Sequence, residues 1–124
     1  MVYDANNAKL LDTSKFPNDS IFEGMIIDIT DGLVSQFIKE SAKSKWEGDL
    51  NSNAILVKVE VKLEDDKSET FEQMFTYIDE NGETLYTVNS NMGKFNKKYE
   101  TTPMLQQKVK VITDSNGFAK IKIE

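Results

Sequence analysis

The alternation of apolar and polar positions is clearest over residues 53–64, NAILVKVEVKLE, where Ile55, Val57, Val59, Val61 and Leu63 share one side and Lys58, Glu60, Lys62 and Glu64 the other. A period of two over that length is a strand with one face toward a core. IFEGMIIDIT (21–30) is apolar on both sides, as a doubly covered strand is, and Gly24 within it points to a bulge or a sharp bend. A charged turn at Asp65-Asp66-Lys67-Ser68 leads into TFEQMFTYID (70–79). There Phe71, Gln73, Phe75 and Tyr77 face one way and Glu72, Met74, Thr76 and Ile78 the other, and the pattern leaves open which set is core. Asn81-Gly82 is a hairpin signal returning the chain as ETLYTV (83–88). KVKVIT (108–113) and FAKIKIE (118–124) flank a second turn, Asp114-Ser115-Asn116-Gly117.

Helical spacing appears twice. Leu33, Phe37, Ile38 and Ala42 place a helix over residues 32–46, with a strand through Val34 as the alternative. In SNMGKFNKKYETTP (90–103), Met92, Phe95 and Tyr99 make one stripe. Asn89 or Ser90 is placed to cap the start, and Pro103 prevents continuation. Residues 1–20 are polar and without clean periodicity; they read as a flexible arm that Leu10, Leu11 and Phe16 anchor in part. The expected organisation is that arm followed by one domain over 21–124. The fold class is all-β with one or two short helices: a small five- to six-stranded barrel carrying a helix between its third and fourth main strands. In that arrangement the helix plugs the barrel end with Met92 and Phe95 and leaves Lys94, Lys97 and Lys98 outside.

The segment from Thr84 to Glu124 resembles the C-terminal half of small archaeal and mobile-element proteins of the single-stranded-DNA-binding OB (oligonucleotide/oligosaccharide-binding) type. The resemblance rests on Gly93-Lys94-Phe95 opening the helix, Lys97-Lys98-Tyr99 closing it, Pro103, the KVKV strand and the Gly117-Phe118 turn. It implies an OB-like barrel that binds on the face of its second and third strands.

Composition narrows the chemistry. The chain of 124 residues has no cysteine and no histidine, which removes disulfides, thiol nucleophiles, Ser-His-Asp triads and ordinary zinc sites. All 15 basic residues are lysine, so bidentate arginine readout of guanine is absent and a sequence-specific duplex reader is disfavoured. No apolar run approaches a membrane span and no secretory leader is visible, so a cytoplasmic location with no membrane partner is the default expectation. The net charge of −6 is unevenly spread. Residues 1–88 hold eight lysines against 18 acids, and residues 89–124 seven lysines against three.

Single-strand binding needs rings on which bases stack and lysines along the phosphates. The candidate rings are Trp46, Phe75, Tyr77 and Tyr86, and the candidate phosphate contacts are Lys58, Lys62, Lys94, Lys97 and Lys98. Lys108, Lys110, Lys120 and Lys122, with Phe118 in the same alternation as Lys120, form a second basic patch whose plain reading is a solvated outer face. Asp49, Asn51, Asn53 and Glu60 match calcium-loop spacing, but Ala54 stands where the loop needs glycine and a strand begins where it should still turn. Asp28, Asp31, Glu47 and Asp49 are carboxylates in reach of a magnesium site only by chance proximity. No catalytic signature stands out, and no cofactor is implied. The leading expectation is a non-catalytic module for single-stranded DNA or RNA with little sequence preference. The alternative is a protein-interaction module using its acidic surface or a sheet edge.

Overall fold

The computed structural model describes residues 5–6, 16–63 and 66–124. Leu10, Leu11, Glu64 and Asp65 lie outside these. The elements run β1 (Ile21–Leu33), α1 (Val34–Phe37), α2 (Glu40–Lys43), β2 (Asn53–Lys62), β3 (Ser68–Glu80), β4 (Glu83–Leu85), α3 (Asn91–Tyr99), β5 (Lys108–Thr113) and β6 (Ala119–Ile121). The six strands form one antiparallel sheet in the order β4-β3-β2-β1-β5-β6, curled strongly into an OB-like half-barrel. The helix between the β3–β4 hairpin and β5 is α3, as the pattern predicts.

Curling turns one face of every strand inward. Val57, Val59 and Val61 of β2, Ile26 of β1, Phe75 of β3, Val109 and Val111 of β5 and Ile121 of β6 are buried together. Phe16 is buried against this core, its ring edge-on to Phe71 with centroids 6.1 Å apart. The segment after it is tied to the end of β5: the Thr113 hydroxyl donates to the Pro17 carbonyl (2.7 Å) and Ser20 N–H donates to that same hydroxyl (2.8 Å).

The sheet does not close by a continuous ladder. Where β6 comes round to β3, the Ile121 N–H donates to the Gln73 side-chain oxygen at 2.7 Å, so one inward amide stands in for a missing strand pair. Tyr99 makes the second staple, its hydroxyl donating to the Lys122 carbonyl (2.7 Å) and accepting from the Lys110 N–H (3.2 Å). Both tie the last strand to elements that it does not pair with in the sheet.

Several local expectations change. β1 continues to Leu33, so the helix over 32–46 is replaced by the last turn of a strand and two four-residue helices. Val34 N–H and Ser35 N–H donate to the Ser52 and Leu50 carbonyls, which holds that segment against the start of β2 instead of letting it wind on. The bulge in β1 falls at Ile27, where the register with β2 slips between Ile26 and Asp28. Gly24 serves close packing: a Cβ there would stand 2.9 Å from both Val59 and Val111. The return strand after Asn81-Gly82 is only three residues long. The turn itself has both central residues at positive φ (55° and 81°), as Asn-Gly predicts.

Candidate nucleic-acid interface

The register of β2 and β3 decides which rings are available. Val57, Val59 and Val61 must face the core, and their partners Gln73, Phe71 and Glu69 turn inward with them. Phe75 is therefore fully buried, packed edge-on against Phe95 of α3 with centroids 5.7 Å apart. This corrects its assignment as a stacking ring: no base can reach it. Tyr77 lies on the same inner face at the barrel mouth, and its hydroxyl donates to the Asp31 carboxylate at 2.6 Å. That bond, aided by burial and the charges of Asp31 and Asp79, pushes the phenol up to about 12, so the hydroxyl stays a committed donor.

Outward from β2 and β3 project Leu56, Lys58, Glu60 and Lys62 with Thr70, Glu72, Met74, Thr76 and Ile78, and no aromatic ring among them. Lys58 faces Asp28 across one ladder and Glu72 across the other, which offsets its charge. Lys62 lines a groove together with Glu23 and Glu60. The face expected to hold a single strand is thus mixed in charge and bare of rings. Trp46 and Tyr86 are each 37% exposed, but Trp46 follows α2 and Tyr86 follows β4.

The other candidates come together on α3. Ser90 caps the helix: its hydroxyl oxygen accepts from Gly93 N–H (3.1 Å) while the hydroxyl donates to the Thr87 carbonyl (2.7 Å). The incoming chain runs so close that a Cβ on Gly93 would lie 2.2 Å from the Thr87 carbonyl oxygen, so only glycine fits there. Met92 and Phe95 are buried, and Tyr99 stacks on Phe95 with centroids 4.6 Å apart. The helical period then places Lys94, Lys97 and Lys98 away from the core. Lys94 pairs with the Glu124 carboxylate (3.4 Å), and the Lys98 ammonium donates to the Glu124 carbonyl (3.4 Å).

α3 thereby lies alongside the chain that follows β6. Two adjoining grooves result, of about 420 and 370 Å³, sharing Lys94, Ile123 and Glu124. Lys97 and Lys98 complete the first, and Lys120 and Lys122 the second. Glu124 supplies the sole carboxylate among their described lining residues. At one end of the strip, the turn holding Phe118 is tightly bonded: Asp114 Oδ1 accepts from Asn116 N–H (2.8 Å) and Phe118 N–H (3.0 Å), and Asp114 N–H donates to the Phe118 carbonyl (3.1 Å). The Phe118 ring, 72% exposed, projects from this rigid turn on the same strand face as Lys120. The alternation of lysines in KIK signalled this half of the surface. That it joins α3 could not be read before the barrel was curled.

The remaining carboxylates do other work. Asp49 accepts from Asn51 N–H in a local turn and Asn53 to Glu60 is strand, so the calcium-loop spacing encloses no loop. Among the described residues, no three carboxylates are gathered as a metal site. No described helix is long and apolar enough to cross a membrane. Fold and surface together define a small OB-like half-barrel with one lysine-lined side. No protein-family model matches the chain, and no curated protein or solved structure matches it either.

Proposed function

We propose that this protein is a non-catalytic module that binds single-stranded nucleic acid by its phosphate backbone, along the α3–β6 side instead of the β2–β3 face. The observation that carries the reading is the gathering of Lys94, Lys97, Lys98, Lys120 and Lys122 around two adjoining grooves in a chain whose net charge is −6. Lysine acts on phosphate as a point charge and reads no base, so little sequence preference follows. Phe118 is the ring best presented for stacking, because its backbone is already held and little ordering entropy remains to be lost.

Fluorescence anisotropy of labelled oligo-dT, against a duplex of equal length, tests this. Five phosphate contacts to a single strand give a log–log salt slope of about −3.5, so a fourfold rise in salt weakens binding on the order of 100-fold. Phe118→Ala should lower affinity by about 1–3 kcal/mol without changing that slope. No binding at low salt, or equal binding of duplex, overturns the reading.

One observation favours a second reading. β4 is an open sheet edge of three residues with Ile78, Leu85 and Val88 exposed around it, the geometry that accepts an added strand from a protein partner. Such binding rests on backbone hydrogen bonds and is far less sensitive to salt.

A further inference from the structure

β6 is the last strand of the sheet, and the groove of about 370 Å³ that holds Lys94, Lys120 and Lys122 is also lined by Gln73 of β3. Gln73 reaches across the seam between the two strands, its Oε1 accepting from the Ile121 N–H at 2.7 Å. A backbone N–H can only donate, so this bond settles which end of the amide faces β6. The other end, Nε2, carries two hydrogens and meets no acceptor among the described residues. No buried side-chain nitrogen or oxygen among them lacks a partner, so the half-buried Gln73 presents Nε2 to solvent. The lysine groove thus contains a hydrogen-bond donor whose direction is already fixed, with little rotamer freedom left to lose on binding.

The chemistry of that donor selects what it meets. Lysines hold phosphates whatever base they carry, whereas an amide reads a base edge. A free glutamine pairs with adenine by accepting from the N6 amine and donating to N7. Here Oε1 is engaged by β6, so that pairing is closed and only donation remains. Against adenine, Nε2 reaches a ring nitrogen only by leaving the neighbouring amine unmatched. Thymine presents carbonyl oxygens that accept without that conflict. We infer that Gln73 is a specificity-determining residue of this groove, donating from Nε2 to a base carbonyl oxygen and so favouring thymine over adenine. The inference rests on the single-strand reading above and adds one base contact to its phosphate contacts. One net hydrogen bond amounts to a preference of about three- to tenfold.

The test measures oligo-dT and oligo-dA of equal length by fluorescence anisotropy, with the full wild-type chain and with Gln73→Glu. Glutamate keeps an oxygen for the Ile121 N–H and puts an acceptor where Nε2 stood. Its added charge weakens both strands alike and cancels in their ratio. The preference for dT over dA should fall by about threefold or more in the variant. A second measurement leaves the protein untouched. A strand in which sulfur, a weak acceptor, replaces both carbonyl oxygens of thymine should bind the wild type about threefold or more weakly than oligo-dT. A dT-to-dA ratio that the variant leaves unchanged overturns the inference, and so does full affinity for the sulfur-substituted strand; both leave phosphate binding standing. Failure of the wild type to bind any strand overturns this inference and the reading beneath it together.

Discussion

Two lysine-bearing surfaces of this barrel differ in what surrounds each lysine. On the outer face of β2 and β3, cross-strand pairing fixes the neighbours, and Lys58 finds Asp28 on one side and Glu72 on the other. On the α3–β6 side, a helix is laid across the end of a short strand, and lysines from both meet over a single carboxylate, Glu124. The same residue type yields a nearly neutral wall in one place and a concentrated positive strip in the other. Local field depends on which elements meet, and the net charge of the chain does not report it.

The contrast breaks most completely at its joint. Phe95 locks α3 to β3 through Phe75 and is fully buried, so Phe95→Ala should cost about 3–5 kcal/mol in urea denaturation and unseat the lysines of the helix. Next in size, changing Lys94, Lys97, Lys98, Lys120 and Lys122 together to Gln should remove about 3.5 from the salt slope of oligo-dT binding. Changing Lys58 and Lys62 to Gln should leave affinity within about twofold, since their phosphate contacts are absent in this reading. Equal losses from both sets would erase the distinction between the surfaces. Gly93→Ala should destabilise by about 1–3 kcal/mol, because its Cβ meets the Thr87 carbonyl and the helix must shift outward. Ser90→Ala, which removes the cap while leaving the packing, should cost about 1 kcal/mol by the same denaturation measurement.

The smallest effect concerns the ring that turned inward. Tyr77 is raised from 10.0 to about 12 in the fold, so the folded state holds its proton more tightly than the unfolded state. The stability this contributes is present in full below pH 10 and is lost as pH rises toward 12. Tyr77→Phe should abolish that part of the alkaline decline, read from urea melts across the range, and delete the last tyrosinate step in an ultraviolet titration. A Tyr77 that ionises at the ordinary value would be free of Asp31 and available on the binding face after all.

The two strand sets show how far patterning carries. In residues 53–62 the valines alternate with charges, so periodicity alone orients the strand. In residues 70–79 both sets hold apolar groups, and only pairing with Val57, Val59 and Val61 turns Phe71, Phe75 and Tyr77 inward. The candidate rings Phe75 and Tyr77 were indistinguishable from core by pattern for this reason. α3 was legible because cap, stripe and terminating proline agree within fourteen residues. The segment over 32–46 was not. Its apolar spacing is helical, yet hydrogen bonds from Val34 and Ser35 to residues 50 and 52 hold it to the β2 entrance, and no local signal announces a contact so far along the chain.

By itself the sequence determined what depends on short-range chemistry: strands by period two, turns by Asn-Gly and Asp-Ser-Asn-Gly, a capped helix, and an excess of lysine in the last 36 residues. Only the tertiary structure decided which aromatic face is core, how Gln73 and Tyr99 hold the curled sheet together, and where α3 lays its lysines beside those of β6. The physical reason is separation along the chain. Propensity and periodicity act over a few residues, whereas burial and charge gathering are set by partners that folding brings from 20 to 50 positions away.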